Sequence, residues 1–267
     1  MLKRLIIAVL VLAGVLVGAD YATAAAAESV VSRELRQQLG LADDPNVRIN
    51  GFPFLTQAIS GEYGSIELTA NRLKVGGLQN VQLRARLQDV AAPLSTVLGS
   101  GTPGLRISRA EGAARVGADD LERMLPQIKR FSLGNVDANT IANAITDGAD
   151  PSLRTLDPES VARIGGDVPL PDGRTLAVVV LAELQVTDGT MRIVPRDVRD
   201  SKGDALPEPA ASIARRTFAL RVDPGGLPFS VVPTKLQVRD GTLEISGKAS
   251  DVVVGAAPRV STEPGNS

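Results

Sequence analysis

The chain has 267 residues, 43% hydrophobic and 22% charged, with 29 Lys+Arg against 30 Asp+Glu and a formal net charge of −1. That balance is globular and lacks the basic excess of a general nucleic-acid binder. His, Cys and Trp are all absent, which excludes disulfides, His- or Cys-ligated zinc, cysteine nucleophiles and Ser-His-Asp triads.

Lys3 and Arg4 precede an uncharged apolar run from Leu5 to Ala19, which Asp20 closes. Fifteen such residues suit a signal-peptide core, whereas a full bilayer span takes about 20. Ala22-Thr23-Ala24 and Ala24-Ala25-Ala26 are both acceptable cleavage sites. An uncleaved anchor fits equally if Ala22–Ala27 extend the helix. Residues 1–27 are therefore a signal peptide or an N-terminal membrane anchor, and either way the remainder is exported. Without cysteine, the exported part must hold together by packing alone.

Glu28 to Gly40 reads as a short helix, with Val31, Leu35 and Leu39 on one face and Gly40 as its stop. Gln57 to Ala70 alternates like a strand, but its parity changes at Gly64, which predicts a bulge. From Val81 to Gln88 alternation is clean. Val81, Leu83, Ala85 and Leu87 share one face, and Gln82, Arg84, Arg86 and Gln88 the other, as in a half-buried antiparallel strand. Residues 93–104 read as a loop and Leu105–Val116 as a strand. Asp119 and Glu122 resemble a capping box, and Pro126 should interrupt the helix that follows. Residues 137–166 read as short helices and turns, 195–208 as a charged surface loop, and 209–218 as a helix carrying Ile213 and Phe218 inward. The tail, 255–267, reads as disordered.

The last third holds an internal repeat. LQVTDGTMRI (184–193) and LQVRDGTLEI (236–245) agree at seven of ten positions. Each places Asp-Gly between alternating runs, the strongest short hairpin signal. Two-residue turns pair Val186 with Met191, Leu184 with Ile193, Val238 with Leu243 and Leu236 with Ile245. Each hairpin then lays four apolar residues on one surface. LAVVVL (176–181) is apolar on both faces, so that strand is buried twice or lines an internal apolar space. The resulting fold class is α+β, a curved, mainly antiparallel sheet covered by helices.

Few segments suggest chemistry. GFPFLTQ (51–57), followed by Gly61-Glu62-Tyr63, concentrates Phe52, Phe54, Leu55 and Tyr63. It reads either as the rim of an apolar lipid pocket or as a core plug at a strand entrance. Leu227-Pro228-Phe229 is a similar element before the second hairpin. Candidate acyl-chain contacts are these aromatics and Leu55, with Leu83, Leu87, Val186 and Val238 on the sheet faces. Arg84 and Arg86 could meet a phosphate headgroup, although a solvated sheet face accounts for them as well. The acidic pairs Asp43-Asp44 and Asp119-Asp120 fall where turns and caps call for Asp. The Gly-Gly pairs at 76–77, 165–166 and 225–226 lack the strand–helix context of a nucleotide site and read as turns. No catalytic residue, metal site or cofactor is expected.

GFPFLTQ followed by GEYGSIEL, and later LPFSVVPTKLQVRDGTLEISGKA, resemble the LmeA family of actinobacterial phospholipid-binding proteins, from about Glu28 to Val254. The resemblance implies a curved sheet wrapped around a helix, as in tubular lipid-binding (TULIP) domains. It also implies an exported, periplasmic or envelope-bound protein that binds an anionic phospholipid such as phosphatidylinositol at a membrane surface. Support for mannan elongation in lipomannan and lipoarabinomannan follows, with envelope glycosyltransferases as partners. The expected lipid-binding domain is 28–254, with an elongated apolar cavity. The alternatives are a carboxylate-dependent enzyme acting on envelope glycans, or a structural partner of a membrane glycosyltransferase.

Overall fold

A computed structural model describes residues 2–75, 77–93, 104–222 and 231–254. Phe229, most of the 93–104 loop and the 255–267 tail lie outside the described residues. The chain divides into two compact units, one of residues 1–69, 85–110 and 249–267, the other of 70–84 and 111–248.

The first unit opens with helix α1, Leu2–Leu39. The expected helix from Glu28 is only its last third, because the apolar run and the alanines of 22–27 are good helix formers and nothing between them breaks the backbone. Its end is as expected. Gly40 takes φ 60°, Gly40 N–H donates to Gln37 O and Leu41 N–H to Arg36 O, the Schellman arrangement that glycine permits. Strand β1 (Asn46–Asn50) pairs antiparallel with β2 (Glu62–Val75), Val47 opposite Leu68 and Ile49 opposite Ile66. Being an edge strand, β1 has backbone groups left over, and the Glu28 carboxylate accepts from Ile49 N–H at 2.7 Å, so α1 helps cover the edge.

Residues 57–60 depart from the expected strand and, with 54–56, form helix α2, Phe54–Ser60. Phe54 and Ala58 are buried while Leu55 and Ile59 are exposed, an i,i+4 pattern that a strand reading cannot use. Gly61, at φ 71°, ends the helix, and a β-carbon there would lie 3.0 Å from Ala92 O. The parity change at Gly64 is present: Tyr63 and Ala70 are buried, and between them Ile66 and Leu68 lie opposite the buried Ile49 and Val47 of β1.

Two antiparallel sheets carry the rest. One has the order β1-β2-β3-β4-β11-β10, the other β5-β6-β7-β8-β9, with β3 at Leu78–Ala91, β4 at Leu105–Gly117, β5 at Lys129–Asn135, β6 at Val161–Pro169, β7 at Thr175–Thr187, β8 at Thr190–Asp200, β9 at Leu220–Val222, β10 at Val232–Arg239 and β11 at Thr242–Val254. The fold is α+β with open, curved sheets. Bulges supply part of the curvature: the β7–β8 register shifts between Leu181 and Ala182 and the β5–β6 register between Lys129 and Ser132.

In the second unit the β5–β9 sheet closes over helix α5 (Ala210–Phe218) and the β10–β11 hairpin. Ile164, Val178, Val180, Phe218, Leu236 and Val238 meet in one core; burying each such side chain contributes roughly 1.5–3 kcal/mol. On the other side of β7, Leu181 packs with Leu153, Val161 and Ile141 of helix α4 (Ala138–Thr146), so the LAVVVL strand is indeed buried on both faces. Both Asp-Gly hairpins have the expected register, Val186 opposite Met191 and Val238 opposite Leu243.

Three local expectations fail for tertiary reasons. Gly165 and Gly166 lie inside β6 instead of a turn. A β-carbon on Gly166 would come 2.4 Å from Ile128 Cγ2, and one on Gly165 2.5 Å from Ser132 Oγ, so close strand packing requires glycine there. The 195–208 segment is strand as far as Asp200, and Pro195 is accommodated beside the β7–β8 bulge. Helix α3 (Ala118–Met124) has Gly117 at its N-cap with no side-chain cap. Glu122 instead accepts from Phe131 N–H at 2.9 Å.

Candidate lipid-facing site

The first unit arranges GFPFLTQ around a charge that lies 34 residues earlier. Asp20, inside α1, is 5% exposed and its two carboxylate oxygens accept from Phe54 N–H and Leu55 N–H, both at 2.8 Å. These are charge-assisted hydrogen bonds to the free donors at the start of α2. Gln57 closes the loop, its Oε1 accepting from Gly64 N–H at 3.2 Å. Gly51 sits at φ 119°, where a β-carbon would lie 2.6 Å from Gln57 Nε2, so the first glycine of the motif makes room for its last residue.

This frame separates the two phenylalanines. Phe54 is buried and its ring lies 6.4 Å from that of Tyr63. Burial raises the pKa of the Tyr63 hydroxyl above its ordinary value, as expected for a phenol in apolar surroundings. Phe52 points outward and stacks on Tyr21 of α1, with centroids 6.1 Å apart and planes 25° from parallel. Leu55 and Ile59 are exposed beside them.

Strand β3 keeps the expected alternation. Val81 is buried, Leu83, Ala85 and Leu87 are half-buried, and Arg84 and Arg86 are exposed on the opposite face. Arg86 donates to Glu67 at 2.6 Å in an exposed ion pair, which is worth little and is readily exchanged. At Asp89 the backbone takes φ 52° and the buried parity moves to Val90. In the second unit, Val186 is half-buried against the main core and Val238 is buried within it.

Two buried carboxylates of the second unit, Asp120 and Glu244, are tied into hydrogen bonds and ion pairs. Burial alone would raise Asp120, but the backbone N–H groups of Gln79 and Asn80 and the Arg123 guanidinium outweigh it and hold the carboxyl below its ordinary value. Glu244 behaves alike: burial is offset by hydrogen bonds from Arg115 and Gln237, both at 2.6 Å, and by the charges of Arg115 and Arg239. Among the described residues, no group of three or more Asp or Glu side chains is placed to hold a metal ion.

Asp20, Tyr21, Gln57 and Ile59 are the residues that sequence reasoning passed over. The available signal was Asp20 itself, a lone acid within an unbroken helical run of apolar and alanine residues, which needs a partner from elsewhere.

No curated protein and no solved structure matches the chain significantly. A family model described as LmeA-like phospholipid-binding matches residues 18–248, most of the chain. With its curved antiparallel sheets and half-buried apolar strand faces, the chain belongs to the LmeA-like phospholipid-binding family.

Proposed function

We propose that this chain is an exported, non-catalytic envelope protein that holds the acyl chains of an anionic phospholipid, phosphatidylinositol being the candidate, against apolar sheet faces. In this reading it supports mannan elongation on lipomannan and lipoarabinomannan, alongside envelope glycosyltransferases. The family match carries the lipid-binding reading. The half-buried Leu83 and Leu87 support it, since apolar side chains that are neither sealed nor free are what an acyl chain would cover. Val186 is offered on the same ground.

Arg84 and Arg86 alternate with those leucines and lie on the opposite face of β3. A headgroup held by either arginine therefore belongs to a lipid at the membrane surface, not to one whose chains rest on Leu83 and Leu87. The enzyme alternative is less favoured. The carboxyls with a resolved shift, Asp120, Asp137, Asp150, Asp172, Asp200 and Glu244, are all held below their ordinary values, whereas a general acid at neutral pH needs a raised one.

The test is native mass spectrometry of the full chain purified in mild detergent. Co-purified phospholipid is expected in the wild type and should be lost in Leu83→Asp or Leu87→Asp variants that keep the wild-type circular dichroism. Wild-type protein that carries no lipid and fails to extract it from phosphatidylinositol vesicles would refute the proposal.

A further inference from the structure

Among the described residues, nothing covers the apolar half of α1. From Leu2 to Val17 its large side chains are exposed, and the helix Leu2–Gln38 is long enough, and apolar enough in its first half, to cross a membrane. The twenty residues from Leu2 to Tyr21 rise about 30 Å, the thickness of a bilayer's hydrocarbon core. Lys3 and Arg4 lie at one end of that length and can snorkel to the headgroups. At the other end the helix does not simply leave the apolar zone. It meets Phe52, Leu55 and Ile59, which are 59%, 42% and 86% exposed, together with Tyr21 at 65%. Leu55 and Ile59 are one turn apart on α2, and Phe52 stacks on Tyr21, so these side chains extend the apolar surface sideways from the helix.

We propose that α1 is retained as a membrane anchor and that Tyr21, Phe52, Leu55 and Ile59 form a patch seated in the interfacial layer of the same bilayer. Four observations choose this occupant. The patch is continuous with the apolar helix through the Tyr21–Phe52 stack, and it pairs aromatic rings with aliphatic side chains as membrane-interface belts do. Asp20 is withdrawn from solvent and accepts hydrogen bonds from the Phe54 and Leu55 N–H groups, as a polar group at the edge of the hydrocarbon must. Cleavage after Ala24 or Ala26 would remove Asp20 and Tyr21, leaving the buried Phe54 N–H without its acceptor. The family match, beginning at residue 18, also includes both side chains. GFPFLTQ then has a reason for its shape: Gly51, Gln57 and Asp20 hold a short helix so that one phenylalanine enters the core and the other meets lipid.

Two measurements on the exported full chain test this. The intact mass should include residues 1–26; a mass that starts after Ala24 or Ala26 overturns the proposal. The chain has no tryptophan, so Phe52→Trp and, independently, Ile59→Trp place a single reporter in the patch of protein reconstituted into vesicles of phosphatidylcholine and phosphatidylglycerol. Blue-shifted emission is expected, with about half or more of it lost to bromines set about 5–10 Å below the headgroup boundary, the depth of an interfacial apolar face. Solvent-like emission from both reporters overturns the proposal. So does blue-shifted emission that brominated lipid leaves unquenched, which would place the patch against a second copy of the chain.

Discussion

Replacing Asp20 by alanine should loosen the α2 segment by about 2–4 kcal/mol. The carboxylate accepts two backbone hydrogen bonds at 2.8 Å, and the two donors differ in what they lose. Phe54 is 2% exposed, so its N–H stays buried without a partner, which costs about 1–3 kcal/mol. Leu55 is exposed, so water can replace the carboxylate there and the loss is nearer 0.5–1.5 kcal/mol. Asparagine at the same position keeps one accepting oxygen but no charge, and should forfeit about half as much. The assay is amide hydrogen exchange over residues 52–58 in the full chain held in mild detergent. For Asp20→Ala the Phe54 amide should exchange roughly 30- to 800-fold faster, as each 1.4 kcal/mol is a factor of ten. The chain's two tyrosines are Tyr21 and Tyr63, both at this junction, so intrinsic tyrosine fluorescence provides a second local reading in urea. If Phe54 exchange in Asp20→Ala stays within about twofold of wild type, the carboxylate is not holding α2 and the reasoning fails.

Phe54→Ala should cost about 3–5 kcal/mol of stability, as for a buried aromatic, whereas Phe52→Ala should leave stability within about 0.5 kcal/mol; thermal unfolding of the full chain in mild detergent separates the two, and equal destabilisation would contradict the placement of the rings. Asp120 and Glu244 have lowered folded-state pKa values, so the stability they contribute is present above their unfolded values of about 4 and is lost as pH falls through the folded values. Urea midpoints should therefore drop on acidification below about pH 4, with a shallower drop in Glu244→Gln; midpoints unchanged down to pH 3 would refute it. Gly166→Ala drives a β-carbon to 2.4 Å from Ile128 Cγ2 and 3.4 Å from the Phe218 ring and should cost about 1–3 kcal/mol; a neutral effect in chemical denaturation would show that the Ile128 side chain can shift away.

Much of the second unit was legible along the chain. The Asp-Gly turns carry their own backbone chemistry, with Asp188 and Asp240 at positive φ followed by Gly189 and Gly241, and a two-residue turn sets the register of both strands without help from distant residues. Alternation in β3 and the two-faced burial of β7 followed from periodicity. What the periodicity missed depends on neighbours far away in sequence. Residues 57–60 open a segment that reads as a strand, yet Asp20 supplies acceptors for the first N–H groups of a helix and Gly61 ends it. Gly165 and Gly166 look like a turn until Ser132 of β5 and Ile128 just before it approach. Asp119 and Glu122 suggest a capping box until Phe131 N–H claims Glu122. Phe52 and Phe54 are nearly equivalent as letters, and only the frame built by Asp20, Gly51 and Gln57 turns one inward and the other outward. Sequence alone determined the turns, the alternating strands and the family, because each depends on residues within a few positions of one another or on a pattern running the length of the chain. The tertiary structure decided the conformation of α2 and the fate of each aromatic ring, because buried donors must find acceptors wherever the fold brings them.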